Sequence, residues 1–186
     1  MEQHPHAESA VGRRRILLWG LASSCAAAPV PCWAASLAGT RRSLSFVNLH
    51  TGETLDAVYW SKGAYQRNAL TDINHLLRDF RTGDVRAIDV RLLELLHALQ
   101  AKMGTRSAFQ VISGYRSPAT NAMLAARSDG VARQSYHVRG MAIDISLADR
   151  QLPALRDAAL DLRSGGVGYY PKPGFVHVDV GPVRTW

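Results

Sequence analysis

"SYHVRGMAIDIS" (135–146) leads a carboxylate, Asp144, into a run whose other members, Met141, Ile143 and Ile145, are those of a buried strand. A packed core does not accept Asp144 unless its charge is compensated. With the period of two of a strand, Ala142, Asp144 and Ser146 share one face and the three large aliphatics share the other. "FVHVDV" (175–180) repeats the pattern, with Phe175, His177 and Asp179 forward and three valines behind. If the two strands pair, Asp144 and His177 converge. His137 arrives from the loop just before the first strand, and Gly140 lets the backbone bend back.

His, Asp and His drawn from three places read as a zinc site with nitrogen and oxygen ligands. Three protein ligands leave the fourth tetrahedral position for water, the catalytic rather than the structural arrangement, and zinc brings the pKa of that water to roughly 7. The competing reading pairs Asp144 with Arg116 or Arg139 and leaves both histidines as ordinary hydrogen-bonded residues. His50, His75 and His97 read as ordinary in this sense.

Working outward, "RSLSFVNLH" and "ETLDAVYW" flank "TGE" and read as a hairpin, with Leu44 and Phe46 facing the same way as Leu55, Ala57 and Tyr59. "TDINHLLRDFRTG" is expected to be a helix capped by Thr71 and stopped at Gly83. "DVRLLELLHALQAKMG" is expected to be another, from the Asp89 cap to Gly104. "FQVIS" is a strand, "SPATNAMLAAR" a helix capped by Ser117 with Pro118 at its first position, and "RSDGVARQSYH" a polar loop. "LPALRDAALDLR" is a helix between "MAIDIS" and the strand start "GGVGYY". The class is α+β: a single domain over 44–186 with a central antiparallel sheet flanked by helices.

Residues 1–34 read differently. A basic cluster, an apolar stretch too short to span a bilayer and small residues before Ala34 form a secretory signal peptide. Arg13 and Arg14 ahead of Ile16 and Leu17 resemble the twin-arginine export signal, and residues 35–43 read as a tether. The expected location is the periplasm of a Gram-negative bacterium, with no stable membrane insertion after cleavage. Cleavage after Ala34 removes Cys25 and Cys32, the two cysteines of the chain. A disulfide framework, a cysteine nucleophile and a thiolate-held metal are thereby excluded from the mature protein. The chain carries 22 Lys and Arg against 15 Asp and Glu, a net charge of +7. Loss of three arginines and two glutamates with the signal lowers it by one. A basic surface favours anionic partners, which outside the cytoplasm means cell-wall peptides and lipid head groups rather than nucleic acid.

"SGYRS" (113–117), "SYHVRGMAID" (135–144), "GGVGYYP" (165–171) and "FVHVDVG" (175–181) resemble, in order, the blocks of the YcbK-like murein endopeptidase K group. That group belongs to the zinc D-alanyl-D-alanine carboxypeptidase and hedgehog-type superfamily. The resemblance runs from about Ser43 to the C-terminus. It implies that fold, with His137, Asp144 and His177 as ligands of Zn2+ and Arg116 facing the substrate, as a carboxylate clamp or at the oxyanion. Tyr115 and Ser135 are expected at the rim. It further implies hydrolysis of crosslinked stem peptides of peptidoglycan. Many relatives carry an acidic general base three residues before the last histidine, where this chain has Gly174; others carry a histidine where it has Phe175. Asp179 is then the nearest carboxylate, either as the base or as a group orienting a ligand. The alternatives are a D,D-carboxypeptidase, a non-catalytic zinc-containing wall-binding module, and a metal-free scaffold.

Overall fold

Alternating apolar residues from Arg42 onward build the first hairpin. β1 (Arg42–Asn48) buries Leu44 and Phe46, β2 (Thr54–Ser61) buries Ala57 and Tyr59, and they pair antiparallel with Phe46 opposite Leu55. The computed structural model of the protein describes residues 41–127, 132 and 134–186. The expected signal peptide, most of the expected tether and part of the expected polar loop lie outside the described residues. β1 takes its first two residues from the tether stretch.

A two-residue strand, β3 (Ala64–Tyr65), pairs with the end of β2. α1 (Arg67–Leu76) starts a turn earlier than Thr71. The Thr71 hydroxyl donates to the Arg67 carbonyl at 3.1 Å, an internal bond of the kind a mid-helix threonine makes rather than a cap. The helix also stops short of Gly83, because tertiary partners claim the chain after Leu76. The Leu77 carbonyl accepts from the Tyr115 N–H at 2.8 Å, and Asp79 closes a loop by accepting from the Gly83 N–H and donating to the Asp84 carbonyl. α2 (Val90–Met103) keeps its expected ends: Asp89 accepts from the Arg91 N–H at 2.9 Å, and Gly104 is left-handed at φ 59°.

β4 (Phe109–Ser113) is followed by α3 (Pro118–Arg127), where the Ser117 hydroxyl accepts from the Thr120 N–H at 3.1 Å. A 3₁₀ turn (Tyr136–Arg139) leads into β5 (Ala142–Leu147), then α4 (Leu152–Leu162), β6 (Gly166–Tyr170), β7 (Phe175–Asp179) and β8 (Arg184–Thr185). The eight strands form one sheet in the order β3-β2-β1-β4-β5-β7-β6-β8. Among the described residues four α-helices accompany the one sheet, consistent with the α+β class, but the sheet is mixed rather than antiparallel. β1 and β4 run parallel, as do β6 and β8. The first pair is parallel because β2, β3, α1 and α2 make the long crossover such a pairing needs. The second arises because the chain reverses again after β7 and lies along the free edge of β6.

α2 packs on β1 and on α4, and α4 covers β5, β6 and β7. Leu92, Leu96, Leu99 and Leu155 thus close over Ile143, Ile145, Val176 and Val178, all essentially inaccessible to solvent. This burial is the main stabilising term of the domain. It leaves the opposite face of β5 and β7 for polar groups.

Asp79 is buried, and among the described residues it has no ion-pair partner. Burial alone would raise its pKa, but hydrogen bonds from Thr120, from Ser117 (N–H at 2.8 Å) and from the Arg81 N–H (3.0 Å) outweigh this and hold it at about 2. A carboxyl depressed in this way contributes stability above its ordinary value and loses it as the pH falls through the folded value. The contribution, about 2 kcal/mol, is expected to vanish between about pH 4 and about pH 2. Asp79→Asn should therefore lower stability at neutral pH and flatten the acid limb in that window. Unfolding curves over that pH range check this; parallel profiles for the two proteins would count against it.

Candidate metal centre

The 3₁₀ turn that carries His137 is capped at both ends. The Ser135 hydroxyl accepts from the His137 N–H at 3.3 Å, and Gly140 ends the turn at φ 68°. A side chain at 140 would be strained by that φ, and its Cβ would lie 2.5 Å from the Ala87 carbonyl oxygen. β5 then places Asp144 directly opposite His177 of β7, and an irregularity in β4 brings Ser113 opposite Asp144 from the other side. Residues opposite one another share a face of the sheet. The expected convergence of Asp144 and His177 follows from that register.

Three atoms meet. His137 Nε2 is 3.1 Å from His177 Nδ1 and 3.2 Å from Asp144 Oδ1, and His177 Nδ1 is 2.8 Å from the same oxygen. All three residues are buried. Their outward atoms are each satisfied. His137 Nδ1 donates to the Gly114 carbonyl at 2.7 Å, His177 Nε2 donates to Asp179 Oδ2 at 3.0 Å, and Asp144 Oδ2 is ion-paired with Arg116. These partners assign the protons to the outer nitrogens. Two lone pairs and a carboxylate oxygen are left facing one another.

Such a triangle suits a cation. Ligand atoms on a tetrahedral metal with bonds of roughly 2.0–2.1 Å lie about 3.3 Å apart, close to the separations observed. Electrostatics agree. Burial opposes ionisation of Asp144, but the two histidines more than offset it and its carboxyl stays well below the usual range. Burial pushes His137 toward its neutral, ligating form. Burial also opposes a proton on His177, yet Asp144 and Asp179 on either side raise its pKa. That pull is met by a proton or by a metal ion.

Arg116 is the partner of Asp144, and Arg139 is not. The guanidinium of Arg116 is anchored by a bond from Nε to Ser113 Oγ at 2.8 Å. Asp179 lies behind His177 with both oxygens occupied. Oδ1 accepts from the N–H groups of Gly166 and Gly181 at 3.1 and 2.8 Å, and Arg184 grips both oxygens. Burial opposes its ionisation, but these donors win and hold it strongly acidic. Gly174 occupies the turn between β6 and β7, donating to the Tyr170 carbonyl at 2.9 Å with φ 81°.

The site opens into a cavity of about 530 Å³ lined by Arg116, Ser135 and Tyr136 on one side and by Tyr170, Phe175, Arg184 and Trp186 on the other. Tyr115 is not part of it; its ring is buried in the hydrophobic core. Sequence reasoning missed the aromatic wall. The signal for Tyr170 was available in the alternation of "GGVGYY", which puts Gly166, Gly168 and Tyr170 on one face. Nothing local marks Arg184 and Trp186.

A mixed sheet thus carries a buried His-Asp-His cluster that could hold a metal ion, open to a cavity. Residues 36–186 match the family model described as peptidoglycan L,D-endopeptidase MepK, and the chain belongs to that family, within the M15 metallopeptidases. It is 45% identical over 175 residues to the peptidoglycan L,D-endopeptidase MepK of Escherichia coli K12, covering 94% of this chain and 96% of that protein. The MepK of Shigella flexneri stands at the same identity and coverage. The probable peptidoglycan L,D-endopeptidase MepK of Haemophilus influenzae is 40% identical, covering 94% of each chain.

Proposed function

We propose that the protein is a zinc-dependent endopeptidase that hydrolyses amide bonds in the stem-peptide crosslinks of peptidoglycan. The observation that carries this reading is the convergence of His137 Nε2, Asp144 Oδ1 and His177 Nδ1, each with its outer atom already bonded. The relatives named as L,D-endopeptidases support the bond type. The D-alanyl-D-alanine carboxypeptidase and hedgehog-type fold, an export signal over 1–34 of the twin-arginine kind and a periplasmic location belong to the same proposal.

A zinc ion held by the three residues would supply a Lewis acid for the carbonyl and an acidified water. The chain does the rest. Arg116 pairs with Asp144 and aims it, and it also lines the cavity, where its guanidinium would meet a substrate carboxylate or carbonyl oxygen. Gly114 and Asp179 hold the two imidazoles in the tautomers that leave the inner nitrogens bare. We assign Asp179 to this orienting role rather than to that of general base. Its oxygens are saturated, and it stands behind His177, away from the cavity.

A second reading, a metal-binding module that holds wall peptides without cleaving them, is favoured by one observation. Asp144 is the one carboxylate among the described residues lining the cavity, and it is committed to Arg116. A D,D-carboxypeptidase is the remaining enzymatic alternative. One experiment separates the three: zinc content of the purified protein and of His137→Ala, each then incubated with purified sacculi. The expected outcome is about one zinc per chain and released muropeptides for the wild type, both lost in the variant. Zinc without release means the binding module. Release of D-alanine alone means the carboxypeptidase.

A further inference from the structure

Among the described residues lining the cavity the one carboxylate, Asp144, is committed to Arg116, so the neutral donors there need scrutiny. β6 and β7 pair with Gly168 opposite His177 and Tyr170 opposite Phe175. Tyr170, Phe175 and His177 therefore project from one face into the same cavity. Gly168 has no side chain, and the indole of Trp186 takes that space: a Cβ at 168 would fall 2.7 Å from Trp186 Cε2. Lying there, the indole is centred 5.2 Å from the His177 ring, and its Nε1–H donates to the Tyr170 hydroxyl at 2.6 Å. The Phe175 ring stacks on Tyr170 at 4.6 Å. The hydroxyl is thus held by an N–H and by a stacked ring. It accepts one hydrogen bond, and its own proton has no acceptor among the described residues.

Among the described residues Arg116, Gln134, Ser135 and Tyr136 also line the wall. Of the polar groups, Arg184 is bound to Asp179 and to the Pro182 carbonyl, and its guanidinium lies between the rings of Tyr136 and Trp186. The Ser135 hydroxyl accepts the His137 N–H as the cap of the 3₁₀ turn. A fixed hydroxyl with an unspent proton, on the same face as the metal-site histidine, is the arrangement an oxyanion donor requires.

We propose that Tyr170 is a catalytic residue: its hydroxyl donates a hydrogen bond to the carbonyl oxygen of the scissile amide as negative charge builds there, with Trp186 as the positioning residue that aims it. The proposal rests on the hydrolase reading above. In the balanced step the water oxygen adds to the carbonyl carbon, the carbon–nitrogen bond breaks, and the protons of water end on the departing amine. The products are a carboxylate and an ammonium. The Tyr170 proton is shared with the oxyanion and never transferred.

The test compares wild type, Tyr170→Phe and Trp186→Phe, all zinc-loaded, on a purified crosslinked muropeptide dimer. Zinc content is measured throughout, as is dimer binding to the chelator-stripped proteins. Tyr170→Phe removes one oxygen from a partly exposed ring, so the fold is expected to persist. The expected result is full zinc content, unchanged dimer binding, KM within about threefold and kcat down about 100-fold. Trp186→Phe keeps a ring over Gly168 without the indole N–H, and about a tenfold loss of kcat is expected, since only the aim of the hydroxyl is relaxed. A Tyr170→Phe variant with near wild-type kcat, or one whose loss lies in KM, dimer binding or zinc content, overturns the role. A zinc-loaded wild type that binds the dimer without cleaving it overturns the hydrolase reading and this role with it; an active wild type with an active Tyr170→Phe overturns this role alone.

Discussion

Asp144→Ala is expected to lose bound metal and peptidoglycan hydrolysis together, and to unfold more readily than the wild type. Asp144 Oδ1 is the anionic corner of the proposed ligand triangle, within 3.2 Å of both inner histidine nitrogens. Without it, two neutral imidazole lone pairs remain 3.1 Å apart with nothing to share between them. The stability cost comes from the other oxygen. Arg116 is largely buried, and its ion pair with Asp144 compensates its charge. Removing one member of a buried pair leaves the other desolvated and unpaired, which costs about 3–5 kcal/mol. For a domain of this size that corresponds to a fall in Tm of roughly 10 °C. Elemental analysis and thermal unfolding of the variant check both halves. Retention of a full metal complement would sink the assigned ligand set.

Asp179→Asn has the next largest expected effect, and it separates two roles for that residue. The change nearly preserves shape but removes the charge that favours a proton on His177 Nε2 and that Arg184 grips through both oxygens. If Asp179 orients His177, metal affinity falls about 10- to 100-fold, and supplying excess zinc restores much of the hydrolysis. If Asp179 were the general base, affinity would stay at the wild-type level while hydrolysis was lost at every zinc concentration. Competition with a chelator, run beside hydrolysis at rising zinc, distinguishes them. The first outcome is expected, because Gly166, Gly181, Arg184 and His177 already occupy the carboxylate.

These expectations lean on features of unequal visibility in the chain. The strand faces of "MAIDIS" and "FVHVDV" put Asp144 and His177 forward before any fold is known, since a strand alternates its side chains by backbone geometry alone. The caps at Asp89, Gly104 and Ser117 are local as well, for each satisfies orphaned helix-end groups with a residue one to three positions away. α1 was misplaced for the complementary reason. Its true end depends on the Tyr115 N–H taking the Leu77 carbonyl, a contact between segments far apart in the chain.

The sequence by itself determined which residue types could bear the chemistry, a His-Asp-His group whose Asp144 and His177 stand on strands with an aliphatic opposite face. Tertiary structure alone decided how that set is held and what faces it. The register of β5 on β7 brings Asp144 level with His177, the Gly114 carbonyl reaches His137 from the turn after β4, and β8 lays Trp186 on Gly168 beside the metal site. Periodicity and capping follow from bonds between near neighbours in the chain. Partnership among lone pairs, protons and rings is settled when distant segments close on a common core, where an unpartnered buried polar group costs too much to persist.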